Sequence, residues 1–144
     1  MKQVLLLMLT TLMMLACGQQ STAETANEQK KQEKDYVEVI YFHGKQRCMT
    51  CRSIEKNAKE LLDAKFAQQM KQGKVVWRVV DMSKRENAKL AEKYQVSWSS
   101  LFVVQHDGSK EAAENLTELA FSTSLRQADK FKADLEAKIN QILD

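Results

Sequence analysis

Cys48-Met49-Thr50-Cys51 is where two soft nucleophiles come within reach of each other in this sequence. Two thiols at this spacing can carry out a two-step exchange. One sulfur attacks a foreign disulfide, and the other then attacks the mixed disulfide and releases the product. The pair opens a segment whose apolar residues recur at helical spacing. Unpaired N–H groups and the positive end of the dipole at a helix start favour thiolate over thiol. Lys45, Arg47 and Arg52 add positive charge in the same direction. Cys48, first and more exposed, is the expected attacking nucleophile. Cys51, one turn on and on the buried face, is the expected resolving thiol. Two other chemistries stay open to the same pair: a structural disulfide in an oxidising compartment, or a two-thiolate copper(I) site. His43, five residues before Cys48, is the nearest further ligand for such a metal. A four-ligand zinc site would need two more ligands, and His43 and His106 are the only histidines. No cofactor is called for by the exchange chemistry itself.

The elements that must position this pair follow from periodicity. Tyr36–Phe42 is β-branched and aromatic and reads as a strand ended by Gly44. From Cys48 to about Met70 the apolar positions Cys51, Ile54, Ala58, Leu61, Leu62, Phe66 and Met70 mark a helix, ended by Gly73. Residues 74–80 form a second strand. Ser83 with Glu86 is a capping-box pattern that predicts a helix through about Tyr94. Leu101–Val104 is a third strand, and Asp107-Gly108 predicts a hairpin into a fourth within 110–116. Ser124 with Gln127 is a second capping box. It opens a long amphipathic helix through Leu125, Ala128, Phe131, Leu135, Ile139 and Ile142. A helix between the first two strands makes them parallel, the hairpin makes the last pair antiparallel, and helices can cover both faces. The fold class is α/β, a four-stranded mixed sheet flanked by helices.

The chain has 144 residues, 44% hydrophobic and 28% charged, which suits one globular domain with a real core. A formal charge of +3, from 22 Lys+Arg and 19 Asp+Glu, gives no basic stripe and argues against nucleic acid as a partner. Residues 1–16 read as a signal peptide, with Lys2 ahead of an apolar run too short to span a bilayer. The run ends Met14-Leu15-Ala16-Cys17-Gly18 and resembles the lipobox of bacterial lipoproteins. That resemblance implies acylation of Cys17 and a membrane anchor, and Gly18 in place of Asp points to the outer membrane, facing the periplasm. Residues 17–34 hold the lipidated cysteine and a polar tether without large aliphatic or aromatic residues, up to ~60 Å long if extended. Residues 35–144 form the domain.

The order strand, loop, CxxC on a helix, strand, helix, strand, hairpin, strand, helix resembles the thioredoxin fold lacking its N-terminal strand and helix. Tyr41-Phe42 before the cysteine loop and Lys93-Tyr94-Gln95-Val96 before the third strand also resemble thioredoxin segments. The resemblance implies reversible exchange with protein thiols or disulfides and a redox partner that the sequence does not name. A non-enzymatic binding module on the same fold is the other function class. The departures are specific. Arg47 replaces the tryptophan before the first cysteine, and Met49-Thr50 replace Gly-Pro between the two. The chain has no proline at all, so Ser100 occupies the place of the family's cis-proline. A cis bond there would cost ~2.5–4 kcal/mol, and Ser99–Ser100 is expected trans. Ser99 and Ser100 are either plain loop formers, or Ser100 Oγ donates to the Cys48 thiolate. Trp98, just before this loop, is a candidate for peptide binding, with core filling as the alternative.

Overall fold

The computed structural model describes residues 35–144, so the signal peptide, Cys17 and the tether lie outside the described residues. β1 (Tyr36–His43) is buried from Val37 to Phe42 on both faces, as a strand that is apolar apart from Glu38 and has neighbours on both sides requires. It pairs in parallel with β2 (Val75–Asp81) on one side and antiparallel with β3 (Ser100–Asp107) on the other. β4 (Lys110–Asn115) adds antiparallel to β3, and the sheet order is β2-β1-β3-β4. Gly108, at the hairpin, takes φ +54°, a conformation that favours glycine. Its N–H is held by the carboxylate of Asp35 at 3.2 Å. The mixed sheet is the expected one.

Helices cover both faces. On one face α1 (Met49–Lys65) presents Ile54, Ala58, Leu61 and Leu62. The C-terminal helix, α5 (Ala128–Leu143), presents Phe131, Leu135 and Ile139. Both pack on Val37, Val39, Tyr41, Leu101 and Val103. On the other face Ile40, Phe42, Val80, Phe102 and Val104 meet Met82, Leu90, Tyr94 and Val96 from the β2–β3 connection. Alternation along β1 therefore feeds two separate cores.

Four local expectations are corrected. The first helix breaks at Phe66, whose side chain is buried, and restarts as α2 (Ala67–Lys71). Ser83 does not cap a helix; its N–H and hydroxyl both go to the Asp81 carboxylate, at 2.9 and 2.7 Å. That turn delays the helix, which begins as a 3₁₀ turn at Arg85–Asn87 and continues as α3 (Ala88–Lys93). α4 (Thr117–Thr123) is an unexpected helix. Ser124 then lies at its C-terminal end rather than opening α5, and α5 starts after Gln127 without a side-chain cap. The third strand is also longer than expected, because Gln105–Asp107 extend the ladder with β4.

Candidate functional site

β1 delivers the chain to the site through His43 and Gly44, and the next helical turn collects the two sulfurs. Cys48 is the N-cap of α1, in extended conformation, and its Sγ accepts the Cys51 N–H at 3.1 Å. A cysteine thus fills the role usually taken by Ser, Thr, Asp or Asn. Arg52 N–H donates to the Cys48 carbonyl at 3.1 Å, and no acidic residue stands in the first turn. Cys48 is exposed, whereas Cys51 is 6% exposed. The expected division between an outer and an inner sulfur is present in the geometry.

Cys51 sits over Tyr41, a fully buried β1 residue whose hydroxyl donates to the Cys51 carbonyl at 2.8 Å. Burial works to raise the Cys51 thiol. Hydrogen bonding with Cys48, Ser99 and Tyr41 outweighs it, and the thiol lies below its ordinary value. Tyr41 goes the other way: burial pushes its phenol up to about 12, against the pull of Ser99 and Arg47. It stays a neutral hydrogen-bond donor throughout the physiological range.

Arg47 is half-buried. Its guanidinium lies 5.8 Å from the centre of the Tyr41 ring and is ion-paired with Glu55, one turn past Cys51 on α1. Its charge is therefore largely spent within the fold, while Lys45 and Arg52 remain exposed. The α4–α5 connection closes another side. The Ser124 carbonyl accepts both Ser53 Oγ at 2.6 Å and Asn57 Nδ2 at 2.8 Å, which ties that loop to the first turns of α1.

The serine loop differs from expectation in detail. No cis peptide bond occurs among the described residues, so Ser99–Ser100 is trans. Ser100 is buried and its Oγ donates to the Trp98 carbonyl at 2.9 Å, so the suggested bond to Cys48 is not made. Ser99 beside it is nearly fully buried and is among the groups that lower the Cys51 thiol. Trp98 is 61% exposed, its ring 5.4 Å from that of Phe121 on α4; it is not core. His43 turns Nδ1 to the carbonyl of Gly44 at 2.9 Å, and among the described residues no three His, Cys, Asp or Glu side chains gather as a metal-ligand set.

The sequence reading missed the supporting roles of Tyr41, Ser53, Glu55 and Asn57. Glu55 carried a usable signal, since it lies one helical turn beyond Cys51 and an arginine precedes Cys48. Ser53 and Asn57, at i and i+4 on α1, are polar positions on a face that a following loop could cover.

No family model matches the chain, and no curated protein does. Among solved structures it is similar to a malarial protein at 20% identity, over 76% of this chain and 99% of that one, with a TM-score of 0.48. It is also similar to thioredoxin-2 of the malaria parasite's protein secretion machinery, at 20% identity over 72% of this chain and 84% of that one, TM-score 0.45. A thioredoxin from Thermus thermophilus is 15% identical over 71% of this chain and 72% of that one, TM-score 0.44.

Proposed function

We propose that this chain is a lipid-anchored thiol–disulfide oxidoreductase of the extracytoplasmic space, acting through Cys48 and Cys51 on protein thiols or disulfides. The observation that carries the reading is the asymmetry of the pair: an exposed Cys48 sulfur at the N-cap of α1, with a buried Cys51 directly behind it. In the reducing direction, the Cys48 thiolate attacks one sulfur of a substrate disulfide. The Cys48–substrate bond forms, the substrate S–S bond breaks, and the departing substrate thiolate takes up a proton. The Cys51 thiolate then attacks Cys48 Sγ, closes the Cys48–Cys51 disulfide and releases the second substrate thiol. Two electrons have moved from the dithiol to the substrate, and the oxidising direction is the reverse. The lowered Cys51 thiol supplies the thiolate that the second step needs.

Titration of the pair against glutathione or dithiothreitol buffers, read by thiol alkylation, is the experiment that tests this reading. The expected potential falls between about −120 and −300 mV, the range of exchange catalysts. A potential far below about −300 mV would assign the pair to a structural bond instead. The anchor rests on Met14–Gly18 and on Cys17 alone. Cys17→Ser in the full chain should move the protein from the membrane fraction to the soluble one. Undiminished membrane retention would refute acylation as the anchor.

A further inference from the structure

The surface around Cys48 has a character of its own. Among the described residues, three of the four exposed large apolar side chains lie on or beside segments that border the first turns of α1. Met49, 75% exposed, follows Cys48 directly. Trp98, 61% exposed, precedes the nearly buried Ser99, and its ring lies 5.4 Å from that of Phe121 on α4. Leu125, 45% exposed, follows Ser124, whose carbonyl is bound by Ser53 and Asn57. Along the chain, the charge beside Cys48 is of one sign. From His43 to Ile54 the chain carries Lys45, Arg47 and Arg52 and no carboxylate. Arg47 is paired with Glu55, the first acid beyond that stretch, which leaves Lys45 and Arg52 exposed and free to act outward.

From this juxtaposition we infer that the site selects polypeptide segments in which the reacting cysteine is flanked by an apolar and an acidic residue. The inference rests on the exchange reading above and names its substrate class. The apolar flank would cover Met49 and Trp98. The acidic flank would lie toward Lys45 and Arg52, where complementary charge speeds encounter and suppresses partners of the wrong sign. A cation-flanked cysteine would meet like charge at the moment when its sulfur must approach Cys48.

The test uses the reduced protein in single turnover with four disulfides. Hydroxyethyl disulfide is the neutral control. The other three are disulfide-linked homodimers of short peptides whose cysteine is flanked by Leu and Glu, by Leu and Lys, or by Gly and Glu. At low ionic strength the Leu/Glu peptide should react about tenfold faster than the Leu/Lys peptide. It should also react several-fold faster than the Gly/Glu peptide. The charge preference should shrink toward unity near 1 M salt, where the screening length is about 3 Å. Lys45→Gln combined with Arg52→Gln should lower the Glu-over-Lys ratio, and Trp98→Ala the Leu-over-Gly ratio. Reaction with all four at equal rates would overturn the inference and leave the exchange chemistry standing. Reaction with none, hydroxyethyl disulfide included, would overturn the exchange reading and this inference with it.

Discussion

Cys48→Ser should abolish disulfide reduction, with a loss on the order of a thousandfold or more, because it removes the only one of the two sulfurs that a bulky substrate can touch. Cys51 is 6% exposed and sits behind Cys48, its carbonyl bonded by the buried Tyr41 hydroxyl, so it has no route to a protein disulfide. Cys51→Ser should behave in the opposite way. The first step proceeds, the second has no nucleophile, and a mixed disulfide through Cys48 accumulates on non-reducing gels. Insulin turbidity reads the first variant, and thiol trapping with mass spectrometry reads the second. A trapped adduct in Cys48→Ser, with Cys51→Ser inert, would invert the roles. The low-lying Cys51 thiol is no argument for inversion, since a resolving thiol must also ionise. What separates the roles is access.

Arg78→Ala should cost the fold about 3 kcal/mol, read by urea unfolding at neutral pH. Glu38 is 3% exposed on the middle strand, on the face opposite α1. Its carboxylate is held by Arg78 Nε at 2.7 Å from β2 and by His106 Nε2 at 3.1 Å from β3, whose ring stacks on Tyr36 at 4.1 Å. The two partners are diagonal neighbours of Glu38 across the sheet, a spacing long side chains can bridge. Removing Arg78 leaves a buried carboxylate with one weak partner. Removing Glu38 leaves an arginine already half open to water, which costs less. Glu38→Gln placed on top of Arg78→Ala should therefore recover most of the lost stability. If the double variant is no more stable than Arg78→Ala, the ion pair is not what holds Arg78's contribution.

The central strand, the parallel first pair, the hairpin and both long helices were legible, because each rests on a strong periodicity or a strong turn signal. Tyr36–Phe42 has no competing pattern, and Asp107-Gly108 sits between two strand-like runs. The failures share one cause: polar residues with local options were read as helix caps. Ser83 and Ser124 each match a capping box, yet competing partners decided both, a local one for Ser83 and a tertiary pair for Ser124. Asp81 claimed Ser83, and Ser53 with Asn57 claimed the Ser124 backbone. α4 is a seven-residue helix whose N-cap Leu116 contributes no side-chain bond, and its only local mark is Asn115, whose Oδ1 accepts the Thr117 N–H at 2.9 Å. At the site, the cysteines and the cationic flank were visible as a motif. That Ser100 turns its hydroxyl to the Trp98 carbonyl rather than to Cys48 was not, because only the packed chain says which way that side chain points.

The Asp35 carboxylate is bonded to the N–H of Gly108, which pins the start of the domain to the hairpin tip. β1 then runs eight residues before it reaches the cysteine loop, a distance of roughly 26 Å. Whatever lies ahead of Asp35 therefore joins the domain at one pole, and the reactive sulfur stands at the other. A partner that reaches Cys48 therefore approaches the domain from the end opposite Asp35.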